Sequence, residues 1–497
     1  MSLDPRTPVL VGGGQINGHD GAEPVDLMAA AARAAAAEAG SERLLEQVDT
    51  VWVVRLLSWR YRDPGLLVAE RVGAASSLRR TGYSGNGGST PQVMVNAAAA
   101  DILAGRADVV LIGGAESWRT RMKFSAAGER PVWTKQDESV LPAPIIVPDV
   151  PMEAESERRV GIDRPSYVYP LFDQARRISA GQSIADHAQE IGRLWSSFSR
   201  VAAGNPHAWV RKEYGPDELI TPSPGNRMIA SPYPKLLNSN NMVDQGAALL
   251  MCSVAKAREL GIDPATWVFP HAGTEAHDTD AIAARGALDR SPAIRIGARE
   301  ALAAAGLGIG DIEFIDIYSC FPSAVAVAAA EIGLPLDDPA RPLTCTGGLT
   351  FAGGPWNNYS THAIATVTTR LRENPGSYGL VTANSGYLTK HAFGIYGATP
   401  PAEPFARRDV QELVDAEPVA TELVSYAGAA RIESWTVVYG RDGLPEKAFV
   451  AAAPRDGERA LAVVTGADDV AVLAAEDVAG RSVTIGEDGG AVLGCSN

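Results

Sequence analysis

Residues Ser84 to Ser117 read SGNGGSTPQVMVNAAAADILAGRADVVLIGGAES. A glycine-rich loop comes first. Ser89 or Thr90 followed by Pro91 then makes a good N-cap and first-turn pair. The alanine-rich run Gln92 to Gly105 reads as a helix, and Asp108 to Gly113 reads as a short buried strand. The simplest reading of Gly87-Gly88-Ser-Thr-Pro91 is the start of a buried helix. Backbone N–H groups at such a start can also hold a carbonyl or carboxylate oxygen.

The same alternation extends outward. Apolar runs at Pro8–Gly12, Val51–Val54, Ile312–Ile317 and Gly379–Ala383 read as further buried strands. Helical stretches at Asp26–Gly40, Arg295–Gly306 and His362–Arg372 lie between them, which predicts an α/β fold with parallel or mixed sheets. The order repeats. DLMAAAARAAAAEAG before VDTVWVVR corresponds to IRIGAREALAAAGLGIGD before IEFIDIYS, and the unit ending ADVVLIGGAES corresponds to THAIATVTTRLRENPGSYGLVTANSG. A similar offset, roughly 265 to 270 residues, relates both pairs and indicates a duplicated unit.

The 497 residues are 46% hydrophobic and 21% charged, the profile of a soluble globular chain with large cores. Fifty-nine acidic against 44 basic residues leave a net charge of −15. That argues against nucleic acid or an anionic membrane as partner. Local basic patches, Arg79-Arg80 and Arg119-Thr-Arg-Met-Lys123, could hold phosphates of a small ligand, although solvated surface charge also accounts for each. Cys252, Cys320, Cys345 and Cys495 have no CxxC or CxxH spacing, which argues against a disulfide scaffold or a metal site. No signal peptide and no spanning apolar run is seen, so the expected location is cytoplasmic.

Residues 118–233 form a long insert rich in Pro, Trp and Tyr, with a helix expected from Ser183 to Ala202. It splits the first half into residues 1–117 and 234–250, and the second half covers 251–397. Ala398-Thr-Pro-Pro-Ala-Glu-Pro404 reads as a linker. Strands at Arg431–Tyr439, Lys447–Ala453, Arg459–Val464 and Arg481–Ile485 then predict a small all-β barrel over 405–497.

Several motifs, in order, resemble the thiolase superfamily over residues 5 to 397. The Ser84–Ser117 stretch resembles the segment in which a cysteine opens a helix and a later strand ends in GGxES. Asn240 to Leu249 is similar to the stretch ending Asp-Gly-Ala-Ala. Asp316-Ile-Tyr-Ser-Cys-Phe-Pro-Ser323 looks like the HDCF loop of the sterol-carrier-protein branch, with Tyr318 for the histidine. Thr344 to Leu349 with Gly353-Gly-Pro355 resembles NxxGGL…GHP, and Asn384-Ser-Gly386 stands at CxG. The resemblance implies a duplicated five-layer αβαβα fold, here with a loop insert and an OB-like C-terminal barrel similar to the additional domain of type 1 thiolase-like proteins. It also implies that the nucleophile position is Gly88 (Gly87 if the loop slips by one). The histidine position is Gly354, and the second cysteine position is Asn384.

Acyl transfer needs a thiolate, a base and an oxyanion hole, and glycine has no atom to acylate. Three residues stand as candidate acid/base groups. Tyr318 is suggested by the resemblance to thiolase-like retro-aldolases, His362 lies on a first helical turn near Gly354, and His391 follows the CxG position. A buried tyrosine whose hydroxyl finds a partner also accounts for Tyr318, and a satisfied helix-start histidine accounts equally well for His362; His391 is the weaker candidate. Candidate substrate contacts are Gly87, Gly88, Ser89, Gly354, Asn358, Asn384 and Gly386. Ser89 as nucleophile would need a neighbouring base, and the sequence places none. Cys320 and Cys345 read as packing thiols. Three functions follow as expectations: an acyltransferase-family protein that binds acyl-CoA or a related thioester without thiolase activity; a C–C lyase on a β-hydroxyacyl-CoA using Tyr318 and His362; or a non-catalytic scaffold. No tightly bound cofactor is expected, and the chain is read as a monomer or homodimer.

Overall fold

The structure, a computed structural model, describes residues 3–18, 21–149 and 151–494. Cys495, counted in the sequence analysis, lies outside the described residues. Two sheets carry the duplicated frame. The first runs, edge to edge, through Pro8–Asn17, Asp244–Ser253, Val109–Ser117, Thr50–Val53, Arg80–Ser84 and Ile145–Val147. The second runs through Phe269–His277, Lys390–Gly397, Tyr378–Ser385 and Ile312–Asp316, with Ala406–Asp409 beside Phe269–His277. The first four strands of each series match in order and in sense: antiparallel, antiparallel, then parallel. A duplicated α/β unit produces this match.

The helix Thr90–Leu103 packs against strands of both sheets, and so does Tyr359–Glu373. Both are buried over most of their surface, which suits their Ala, Val and Ile content better than a solvent face would. Pro24–Glu38 covers the outer face of the first sheet and Pro292–Ala304 that of the second. The result is five layers: helix, sheet, helix, sheet, helix. Among the described residues no helix is long and apolar enough to cross a membrane.

The insert is largely helical. Ser183 caps the helix Ile184–Gly204 by accepting the Asp186 N–H, close to the expected span. Pro165–Ser179 is also a helix despite Pro170 within it. Its aromatic face packs into the core, which outweighs the lost backbone bond.

The C-terminal strands run in the order Glu458–Val464, Pro445–Ala453, Gly428–Tyr439, Ser482–Ile485, Ala491–Leu493. Thr421–Glu422 pairs in parallel outside Glu458–Val464, and a parallel bridge between Val463 and Gly490 links that strand to the far end of the sheet. The helix Ala467–Ala475 lies between the third and fourth strands in sequence. Ala406–Asp409 falls inside the span assigned from sequence to the C-terminal domain, yet it adds an edge strand to the second sheet. Its backbone pairs there before the chain departs.

Candidate active site

A cavity of about 350 Å³ opens where the parallel strands of both sheets end at their carboxyl termini, the usual place for a ligand in an α/β sheet. Gly87 and Gly88 contribute from the start of the first buried helix, and Trp356 and Asn357 from the start of the second. Tyr318, Cys320 and Phe321 come from the loop after Ile312–Asp316, and Asn384, Ser385 and Gly386 from the end of Tyr378–Ser385. Tyr169 reaches in from the insert. The lining contains five asparagines and no Asp, Glu, Lys, Arg or His. Two larger clefts, about 750 and 790 Å³, are lined by other elements.

The space beside Gly88, the nucleophile position that the family resemblance implies, is filled. A Cβ at Gly88 would overlap the Tyr318 hydroxyl and stand 2.7 Å from the ring carbon bearing it and 2.7 Å from the Asn384 carbonyl. Tyr318 is held by the Thr382 hydroxyl, which accepts its backbone N–H at 3.0 Å, and by the Tyr359 ring, edge-on at 5.4 Å. Its own hydroxyl has no hydrogen-bond partner among the described residues and faces the cavity. Burial, then the neighbouring Cys320, pushes this phenol well above its usual range. It is therefore a proton donor at neutral pH. The space beside Gly354, the histidine position that the resemblance implies, is likewise occupied: a Cβ there would stand 2.9 Å from Asn241 Oδ1. Asn241 lines the cavity in its place.

Two N–H groups at the helix start are already used. Gly87 donates to Asn357 Oδ1 at 3.0 Å and Ser89 to Ser385 Oγ at 2.7 Å. The expected N-cap therefore differs. Ser89 makes no side-chain cap, because its hydroxyl turns to Ser385 Oγ at 2.6 Å. Only the Gly88 N–H of the three has no protein partner among the described residues.

Asn384 donates to the Tyr169 hydroxyl at 2.8 Å, and its Oδ1 is buried without a partner. Tyr169 also accepts the Leu388 N–H and donates to the Gly386 carbonyl. Tyr169 thus holds the turn in which Gly386 and Leu388 both take positive φ. Trp356 and Leu388 are the two non-glycine residues with positive φ among those described; Trp356 lines this cavity, and Leu388 lies two residues after the lining Gly386. Strained backbone of this kind clusters at functional sites.

Cys320 lines the cavity, but burial pushes its thiol up to about 12, against the opposing effect of the Tyr169 hydroxyl. It is a thiol at neutral pH and a poor nucleophile. Cys345 donates to the Ile315 carbonyl and does not line the cavity.

The remaining candidates lie elsewhere. Asn358 spends its amide on the Gly114 carbonyl and the Thr361 hydroxyl. His362 does not approach the cavity. Its ring bonds Gln15 Oε1 at 3.0 Å, beside the first strand, and burial together with His207 lowers its pKa to about 3. His391 packs behind Tyr318 and Asn384, bonded to the Leu388 carbonyl, with Asp278 at 3.7 Å. Sequence reasoning missed Tyr169, Ser385 and Asn241 as lining residues. Tyr169 sits in a proline-containing stretch with no helical signal, while Ser385 and Asn241 fall inside the Asn384–Gly386 and Asn240–Leu249 stretches, where their neighbours carry the motif positions.

Comparison with known proteins agrees with this architecture. Residues 409–490 match the family described as thiolase-like protein type 1 additional C-terminal domain. A monomeric SCP2-thiolase-like protein type 1 from Mycobacterium smegmatis is 34% identical, with a TM-score of 0.85 over 99% of this chain and 100% of that one. An acetyl-CoA acetyltransferase of Methanothermobacter thermautotrophicus is 26% identical over 294 residues, 55% of this chain and 70% of that protein. A chain of the Ltp2-ChsH2(DUF35) aldolase shares the fold at 20% identity, with a TM-score of 0.60 over 79% of this chain and 98% of that one. Identity and full-length coverage with the M. smegmatis protein place the chain in a family: it belongs to the SCP2-thiolase-like proteins of type 1.

Proposed function

We propose that the chain binds an acyl-CoA or a related thioester in the strand-end cavity and does not acylate itself. By ancestry it is an acyltransferase, but the transfer step has no acceptor. The observation that carries this reading is the Tyr318 hydroxyl standing where a side chain at Gly88 would project. Thiolysis needs a thiolate and a base within reach of the thioester carbon. The lining offers one protonated thiol and no base. A neutral wall of amides, hydroxyls and aromatic rings suits an uncharged acyl and amide chain. Calorimetric titration with acetyl-CoA and acetoacetyl-CoA, beside a thiolysis assay, tests it. Saturable binding without turnover is expected, and rapid thiolysis or no binding overturns it.

C–C cleavage of a β-hydroxyacyl-CoA is the second reading. The unpartnered Tyr318 hydroxyl in the cavity favours it, and a solved aldolase shares the fold. Retro-aldol cleavage also needs a base on the β-hydroxyl, and neither His362 nor His391 lines the cavity. Aldehyde release from such a thioester, lost in Tyr318→Phe, would support this reading.

The C-terminal strand order, with its bridge between Val463 and Gly490, supports an OB-like reading of that domain. Ile145–Val147 covers the edge beside Arg80–Ser84, which supports a monomer.

A further inference from the structure

The cleft of about 790 Å³ lies between the insert and the C-terminal domain and shares no lining residue with the strand-end cavity. The insert supplies Gln174, Ile184, Ile220 and Met228. The C-terminal domain supplies Trp435, Tyr439 and Leu473. Arg177 ties the two walls together: its guanidinium lies over the Trp435 ring at 5.7 Å and pairs with Asp477 at 2.9 Å. The space is of the size that small-molecule sites occupy. Apolar surface persists where solvent enters it. Ile184, the first residue of its helix, is 46% exposed, and Met228 is half-buried.

One polar group of a buried side chain faces this space. Gln174 is 9% exposed. Arg177 Nε donates to its Oε1 at 2.8 Å, which fixes the amide and leaves Nε2 to the cleft. That nitrogen has no hydrogen-bond partner among the described residues. The charges of the lining are uneven in the same sense. Its glutamate and aspartate are engaged: Asp442 accepts the Leu444 N–H at 3.0 Å, and Glu476 lies 3.6 Å from Arg481. Its two arginines are open. Arg227 donates only to the Met228 carbonyl, and Arg441 has no bond or ion pair among the described residues. The cleft thus sets donors without acceptors beside an apolar wall.

We propose that this cleft binds a monocarboxylic acid with an apolar body. The carboxylate takes the Gln174 amide and the Arg227 guanidinium, and the apolar body lies along Ile220, Met228 and Leu473. One negative charge fits better than the two of a phosphate monoester, because Asp442 and Glu476 repel the second. The site stands apart from the strand-end cavity and does not rest on the thioester reading.

Calorimetric titration with decanoate, decanol and decyl phosphate tests it on the wild-type chain, Gln174→Glu and Arg227→Gln. Gln174→Glu keeps an oxygen for Arg177 and replaces the free donor with a carboxylate oxygen. Arg227→Gln alters a half-buried side chain outside the core and keeps the test decisive if the first variant fails to fold. Decanoate should saturate a single site on the wild type and weaken as salt rises. It should lose on the order of tenfold in Arg227→Gln and at least as much in Gln174→Glu. Decanol and decyl phosphate should each bind about tenfold more weakly than decanoate, and excess acetyl-CoA should not displace it. Absence of saturable decanoate binding, equal binding to wild type and variants, equal binding of decanol or decyl phosphate, or displacement by acetyl-CoA overturns the site.

Discussion

Tyr318 presents its hydroxyl into the space that a side chain at Gly88 would need. The two residues lie on loops from opposite halves of the duplication, one before the first buried helix and one after Ile312–Asp316. Each explains the other. Glycine leaves room for the phenol, and the phenol closes the space to a nucleophile. Asn241 stands in the same relation to Gly354.

The fit predicts a specific coupling. Gly88→Cys alone overpacks the site and should destabilise the chain by about 1–3 kcal/mol. Gly88→Cys with Tyr318→Ala should recover most of that loss. Denaturant unfolding of the two single variants and the double variant gives the interaction term directly. Simple additivity would mean the side chains do not compete for one space.

Tyr169 should matter more than its place in the insert suggests. Its hydroxyl serves Asn384, Leu388 and Gly386 together. Tyr169→Phe leaves those groups buried without it and should lower stability by about 1–3 kcal/mol. Thioester affinity should fall too, because the Gly386–Leu388 turn loses its support. Thermal unfolding and titration check the two effects separately.

Glu116 makes stability depend on pH near neutrality. Its carboxylate accepts the Leu57 and Ser58 N–H groups, both at 2.7 Å. Burial nonetheless raises its pKa to about 7 against the opposing effect of these bonds and of Arg121. A carboxyl whose folded pKa lies above its unfolded value favours folding most when protonated. Its contribution is full below about pH 4.5 and is lost as pH rises through 7. The loss is on the order of 3 kcal/mol. Unfolding of wild type and Glu116→Gln across pH 4.5–8 should show this fall in the wild type alone.

His362 carries the opposite sign. Its folded pKa, about 3, lies below the value near 6.5 of a free imidazole. Its stabilising contribution is present above pH 6.5 and is lost as pH falls towards 3. His362→Gln should reduce acid sensitivity over that interval and leave thioester affinity unchanged, since the ring faces Gln15. A drop in affinity would place His362 in the binding machinery after all.

The duplication was legible from residue order alone, since Val51–Val54 and Ile312–Ile317 pair with equivalent neighbours in the two sheets. Gly87, Gly88, Tyr318, Asn384 and Gly386 could be brought together because each sits at the end of a recognisable strand or the start of a recognisable helix. His362, Gly354 and Asn358 could not be resolved this way. His362 turns to Gln15 from the first turn of its helix, which follows Trp356 at positive φ, a backbone feature that no local pattern announces. Tyr169 was hidden for a different reason: Pro170 masks a helix whose buried face includes Tyr169 and Phe172.

Whether the chain can carry an acyl group is read by intact-protein and peptide mass spectrometry after incubation with acetyl-CoA. An unchanged mass alongside saturable, reversible binding is expected. An acetyl adduct on the peptide spanning residues 84–103, or on Cys320, would contradict it.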